Sequence, residues 1–186
     1  MKPVLLKDFF SPEEMVELNR IIDLNEHTLE EPDQGRLLHN LNSLQKSPLK
    51  NKIEGEVSEI IGKNLKMVTE GYTIYKKEYG TPSLKPHIDH NETEYILDYH
   101  VYSNTEWPIA VEGEYFNLNA NEAALFSGKN DIHWRPKKEF NDEECVAMIF
   151  FHFVDIDNPE AAGPKIYTDD DEERLAKYEA MWKNGQ

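Results

Sequence analysis

The feature that most restricts the fold is a change of period at Leu65. Before it, apolar residues recur every third or fourth position. After it they alternate with polar ones or are β-branched and aromatic, in the segments Leu65–Lys77, Tyr95–Ser103, Ile109–Phe116, Glu122–Phe126 and Glu144–Phe153. Alternation sends successive side chains to opposite faces, the mark of a strand with one buried side. Gly, Pro and Asn turns separate the segments, as at Trp107-Pro108 and Gly128 to Asp131. Short strands punctuated this way predict a two-sheet jelly roll with a hollow between its layers.

The helical period lies on either side. Ser11-Pro12-Glu13-Glu14 is a capping box with proline at the first helical position, and Met15, Leu18, Ile21 and Ile22 form one stripe that Asn25 would end. Ser47-Pro48 opens a second helix with Leu49, Ile53, Val57, Ile60 and Ile61 on one face and Gly62 as its stop. Both helices are expected against one outer face of the sheet, where a one-sided helix hides its stripe. Residues 26–46 hold a polar turn, Glu30 to Gly35, then a stretch without clear period. They read as a long loop, either a lid over the site or a surface excursion. Residues 155–167 read as an irregular tail with two prolines. Thr168 to Glu173 then places negative charge at the start of a last helix striped by Leu175, Tyr178, Met181 and Trp182. The whole, residues 1–186, is expected as one domain: helical support over 1–64, a β core over 65–154, and a tail with a helix over 155–186.

Composition narrows the partners. Thirty-six acidic residues against twenty basic ones give a net charge of −16, which repels nucleic-acid backbones and anionic membranes. Cys145 is the single cysteine, so no internal disulfide forms and a reducing, cytoplasmic setting is expected. No charged-then-apolar N-terminal signal is present, and no apolar run approaches the roughly 18 residues of a membrane span. A small-molecule partner is the expectation. The sequence is silent on oligomeric state.

Chemistry concentrates in Lys85-Pro86-His87-Ile88-Asp89-His90 and His133-Trp134-Arg135-Pro136. Two residues apart in extended chain, His87 and Asp89 aim at one point. If a later strand brings His133 there, two imidazoles and one carboxylate occupy one face of a metal and leave the other open. His90 and Glu92 offer a competing pair on the opposite face. His87 and Asp89 are favoured because Pro86 and the order of the surrounding elements lead into them. Tyr99, His100, Tyr102 and Asn104 follow on the next strand as pocket or core residues, Trp134 reads as packing, and His152 as a buried histidine or a pocket wall.

The order Tyr75 to Gly80, Pro86 to Asp89, Asn119 to Phe126, His133, then the apolar strand Val146 to Phe153 resembles the Fe(II)- and 2-oxoglutarate-dependent oxygenases, nearest the prolyl 4-hydroxylase branch. An entry segment, Leu5 to Glu14, adds to the likeness, which covers most of residues 65–155. It implies a double-stranded β-helix, Fe(II) held by His87, Asp89 and His133, 2-oxoglutarate as cosubstrate, and hydroxylation of a peptidyl residue, an amino acid or a small metabolite. It also implies a cation for the distal carboxylate of 2-oxoglutarate about ten positions beyond the second histidine. Here Asn141 to Ala147 holds no basic residue. Arg135, which would share a face with His133, is the first substitute; Lys77, with Tyr75 on its face, is another, and Lys85 reads as exposed. The rival readings are a zinc or manganese enzyme on the same jelly roll, and a binding module that has lost the cosubstrate.

Overall fold

A computed structural model of the protein describes residues 1–24, 26–158 and 167–185. In chain order the elements are β1 (Val4–Leu6), α1 (Pro12–Asp23), β2 (Glu26–Glu31), β3 (Arg36–Asn40), α2 (Pro48–Ile61), β4 (Leu65–Lys76), β5 (Leu84–His87), β6 (Tyr95–Ser103), β7 (Ile109–Val111), β8 (Glu114–Phe116), β9 (Ala123–Phe126), β10 (His133–Arg135), β11 (Cys145–Asp155) and α3 (Asp169–Lys183). The strands form two sheets, β1-β9-β6-β11-β4-β3-β2 and β5-β10-β7-β8, with antiparallel neighbours. This is the jelly roll that the alternation predicts.

Local chemistry sets the helix ends. The Ser11 hydroxyl accepts from the Glu14 amide while the Glu14 carboxylate accepts from the Ser11 amide at 2.8 Å. Two amides that a helix start leaves open are thereby satisfied. The expected stop of α1, Asn25, lies outside the described residues, as does 159–166 of the expected tail with both its prolines. Thr168 and Asp171 repeat the capping box at α3.

The central strand β11 shows how two periodicities share one molecule. Ile149, Phe151 and Phe153 join Leu18, Ile21, Ile53 and Val57 of α1 and α2 in the main core. Burying each such side chain contributes roughly 1.5–3 kcal/mol. Their neighbours on the other face, Val146 and Met148, pack with Tyr75, Trp107 and Phe140, whereas Phe150 and His152 border a cavity. On the small sheet, α3 lays Tyr178 and Trp182 over Ile88, Ala110, Ile132 and Trp134. With helices covering both outer faces, the hollow between the sheets is left for a site.

Residues 26–46 depart from the expected loop. They form the hairpin of β2 and β3, and β3 pairs with β4 from Arg36↔Tyr75 to Asn40↔Gly71. Period failed here because Arg36, Leu38 and Asn40 line the cavity, so the inward face is mostly polar. The hairpin tip turns through Pro32–Gln34 into Gly35, whose φ of +65° suits glycine. A Cβ on Gly35 would collide with the backbone of Thr81 and Pro82. Beside this contact the Ser83 amide donates to the Gln34 carbonyl at 3.2 Å, which ties the hairpin of the large sheet to the start of β5 in the small one. Ile109–Phe116, expected as one strand, is the hairpin of β7 and β8 around Glu112 and Gly113. No helix among the described residues is long and apolar enough to cross a membrane.

Candidate metal centre

Pairing of β5 with β10 sets His87 opposite His133, and their ring centroids stand 4.1 Å apart. β5 ends at His87, so Asp89 is placed by the following turn rather than by the strand. Its amide donates to the Gly128 carbonyl at 2.9 Å. Gly128 has to be small: a Cβ there would lie 2.7 Å from the Thr93 carbonyl oxygen and 3.1 Å from Asp89 Oδ2. Ligand atoms of His87, Asp89 and His133 all lie within 4.8 Å of one another. Asp89 Oδ1 is 3.4 Å from His87 Nε2 and 4.0 Å from His133 Nε2.

Both imidazoles are oriented by backbone. His87 Nδ1 lies 2.8 Å from the Lys85 carbonyl oxygen, and His133 Nδ1 lies 3.0 Å from that of Asp131. A carbonyl only accepts, so Nδ1 carries the proton and the Nε2 lone pair faces the shared centre. The Asp131 carbonyl is fixed in turn, because Asp131 Oδ2 accepts from the Ser127 amide and Ser127 returns its carbonyl. Burial, helped by the neighbouring His87, pushes the His133 pKa down to about 3, with Asp89 opposing. For Asp89, burial alone would raise the pKa. The neighbouring His87, then His133, outweigh it and hold the carboxyl below its ordinary value. His133 is therefore neutral and Asp89 charged at pH 7, the forms that ligate a divalent ion. Two histidines and one carboxylate suit non-haem Fe(II) with open positions, and also catalytic zinc.

The centre opens on a cavity of about 920 Å³ bordered by Arg36, Phe126, Phe150, His152 and Trp182 among others. His152 Nδ1 is 2.7 Å from Thr69 Oγ1, so it is both hydrogen-bonded and a wall residue. His90 and Glu92 are exposed; they lie beyond the end of β5, so the turn and not strand alternation turns them outward. Tyr99 belongs to the helix-facing core and Tyr102 is exposed.

Of the candidate cosubstrate residues, Lys77 is not brought to the cavity. It sits in the turn after β4 with its Nζ 2.9 Å from Asp142, because β4 ends one residue earlier and the chain swings outward. Tyr75 is fully buried and its hydroxyl accepts from Arg36 Nη1 at 3.2 Å. Arg135 is fully buried two residues beyond His133, its Nη2 2.6 Å from Asp98 Oδ2 and its Nη1 on the Trp107 carbonyl. Burial pushes the Asp98 carboxyl up against the pull of that guanidinium. Arg135 Nε, Asp98 Oδ1 and Thr73 Oγ1 are buried without a hydrogen-bond partner among the described residues. The sequence carries no signal for Arg36, whose strand has no clear period, or for Trp182, whose helical spacing marks packing alone.

No protein-family model matches the chain, and no curated protein matches it. Among solved structures, the epimerase SnoN from nogalamycin biosynthesis, in complex with Fe3+, α-ketoglutarate and nogalamycin RO, is similar with a TM-score of 0.64 and 10% identity, over 91% of this chain and 92% of its own. HygX from Streptomyces hygroscopicus, with nickel and 2-oxoglutarate bound, follows at 0.57 and 9%, over 89% and 91%. A prolyl hydroxylase from Trichoplax adhaerens, in complex with a hypoxia inducible factor peptide fragment, gives 0.54 and 12%, over 94% and 86%. At these identities the likeness establishes the fold, the double-stranded β-helix, for this chain.

Proposed function

We propose that the protein is an Fe(II)- and 2-oxoglutarate-dependent oxygenase that hydroxylates an organic substrate. The observation that carries this is the trio of His87, Asp89 and His133, with both Nε2 atoms and a charged carboxylate turned to one point beside a cavity. Two solved structures of this fold hold Fe3+ with α-ketoglutarate and nickel with 2-oxoglutarate. When bound, the iron and cosubstrate would supply the oxidising chemistry: one oxygen atom of O2 enters a substrate C–H bond, the other enters succinate, and carbon dioxide leaves.

The share of this chain is to bind, orient and exclude water. His87, Asp89 and His133 would hold the ion on one face, leaving the cavity side for cosubstrate, oxygen and substrate. Phe126, 5.0 Å from the His133 ring, and Phe150 give that side apolar walls. For the distal carboxylate of 2-oxoglutarate we favour Arg135, the guanidinium on the strand of His133 whose Nε has no partner among the described residues. Arg135 lies behind the cavity wall rather than on it, so the cosubstrate would have to reach it past that wall; Arg36, which donates to the Tyr75 hydroxyl, is the guanidinium that borders the cavity itself. A reducing cytoplasmic location follows from the lone Cys145 on the same reading.

Anaerobic titration with Fe(II) and then 2-oxoglutarate tests the proposal, reading the weak visible charge-transfer band of the chelate. A band that needs both components and vanishes in His133→Ala is expected. Tight zinc or manganese binding with no response to 2-oxoglutarate would instead favour a different metalloenzyme.

A further inference from the structure

We propose that the substrate pocket takes an amphoteric small molecule, with its anionic end on Lys85 and Lys137 and its amine or other donor end toward Glu70, Asp33 and Gln34. This deepens the oxygenase reading and rests on it for the identification of the cavity as a substrate site. All five residues border the one cavity beside the metal centre. They come from two sides of it. Lys85 belongs to β5 and Lys137 lies two residues beyond β10, both strands of the small sheet, whereas Glu70 is on β4 and Asp33 and Gln34 form the tip of the β2–β3 hairpin in the large one.

The cationic side is set apart by its place on the cavity. Lys50, Lys52, Lys63, Lys76, Lys77 and Lys138 each meet a carboxylate, whereas Lys2, Lys46, Lys66 and Lys177 meet none within 4.0 Å among the described residues but lie away from the cavity. Lys85 and Lys137 have no carboxylate within 4.0 Å among the described residues, although Asp33 and Glu70 border the same cavity. Lys137 instead holds its Nζ 5.6 Å from the centroid of the Trp182 ring, a contact that fixes an ammonium without neutralising it. Lys85 is tied to the metal centre, since its carbonyl orients His87. An anionic group docked on these two ammonium groups would form charge-assisted hydrogen bonds beside the reacting position.

On the other side, Glu70 accepts from Gln45 Nε2 at 2.7 Å, which steadies the carboxylate. Gln34 Oε1 is a buried acceptor with no partner among the described residues, so leaving it unmatched costs about 1–3 kcal/mol until a donor arrives. With the dianionic cosubstrate in place, which would occupy Arg36 or Arg135, a second purely anionic ligand would meet this acceptor wall and a net charge of −16; a purely cationic one would meet the lysines. Only a molecule with both ends suits both sides.

The test uses the full chain with and without Zn(II), and as probes the ω-amino acids from glycine to 6-aminohexanoate. Matched carboxylates and matched alkylamines run alongside, with calorimetry and the Trp182 indole N–H resonance as readouts. At least one amino acid is expected to bind saturably and about 10-fold or more tighter than its matched acid and amine, as charge-assisted hydrogen bonds at each end would give. Lys85→Gln with Lys137→Gln, or Glu70→Gln, should erase that advantage. No saturable binding by any amino acid, single-charge analogues binding equally well, or an advantage that survives both sets of substitutions would overturn the inference. A normal Fe(II) and 2-oxoglutarate band without amphoteric binding defeats this inference alone. Amphoteric binding without the band defeats the oxygenase reading and leaves the pocket as a binding site.

Discussion

Two polar clusters lie inside the barrel, and they are built in opposite ways. At the metal centre each imidazole spends one nitrogen on a backbone carbonyl and keeps the other free for an ion. Around Arg135, charge is answered by charge: Asp98 and the guanidinium are both completely buried and bonded to each other, with His100 Nε2 3.3 Å from Arg135 Nη2. The first arrangement is pre-organised for a ligand the protein does not itself provide. The second largely neutralises itself and leaves only single buried atoms, Arg135 Nε and Asp98 Oδ1, without a partner among the described residues. Position alone therefore does not make a buried polar group a binding group; what matters is which lone pair or proton its neighbours have left over.

The sharpest way to break this comparison is to remove one half of the deep pair. Asp98→Ala strands a buried guanidinium and is expected to cost about 3–5 kcal/mol of stability, whereas Asp98→Leu with Arg135→Met should come within about 1 kcal/mol of the parent. Urea unfolding measures both. If the deep pair instead stabilises the fold in its own right, the double variant will be as weak as the single one. The double variant should keep Fe(II) affinity and lose 2-oxoglutarate affinity.

Removal of a metal ligand should do the reverse. His133→Ala or Asp89→Ala is expected to weaken Fe(II) by about 100-fold or more, since loss of an orienting partner alone costs about 10- to 100-fold. Apo stability should change less than in Asp98→Ala. Gly128→Ala lies between the two kinds of effect. Its Cβ must push the Thr93 carbonyl and Asp89 apart, so about 1–3 kcal/mol of strain and roughly 10-fold weaker metal binding are expected together. Unchanged Fe(II) affinity in Gly128→Ala would mean that Asp89 is not held by that turn.

Acid should act on both clusters in the metal-free protein. Burial lowers the pKa of His133 and of His100 to about 3 from an ordinary 6.5, with Arg135 adding to the effect at His100. The unfolded chain takes up these protons first, so stability is expected to fall as pH drops below about 6.5 and to go on falling toward 3. His100→Leu should flatten the curve without touching metal affinity. Thermal unfolding of apo protein across that range reads the slope, and an unchanged slope in the variant would show that His100 is already charged in the fold.

Much of the architecture was legible because it follows from period and caps. Most strands from Leu65 onward and both proline-opened helices follow from spacing, whereas the trio of His87, Asp89 and His133 needed the resemblance beside the spacing of its first two members. The β2–β3 hairpin was not legible, since a strand facing a polar cavity mixes polar and apolar residues on both sides. Arg36 was lost with it. Arg135 was legible as a residue on the face of His133, but its Asp98 partner was not, because a contact between β6 and β10 spans 37 positions and no local pattern marks it. Lys77 illustrates the converse error: alternation was extended one residue past the end of β4.

Lys77 therefore supplies the smallest expected effect and a clean control for the comparison. Its ammonium is 55% exposed and its partner Asp142 is 87% exposed, so the pair forms in water and is screened by salt. Lys77→Ala is expected to change stability by less than about 0.5 kcal/mol and to leave the 2-oxoglutarate-dependent band unaltered. If that band were lost while Arg135→Met kept it, the cosubstrate would have to be held from the outer turn after β4. The deep cluster around Arg135 would then be purely structural, and the two polar regions of the barrel would not be parts of one site.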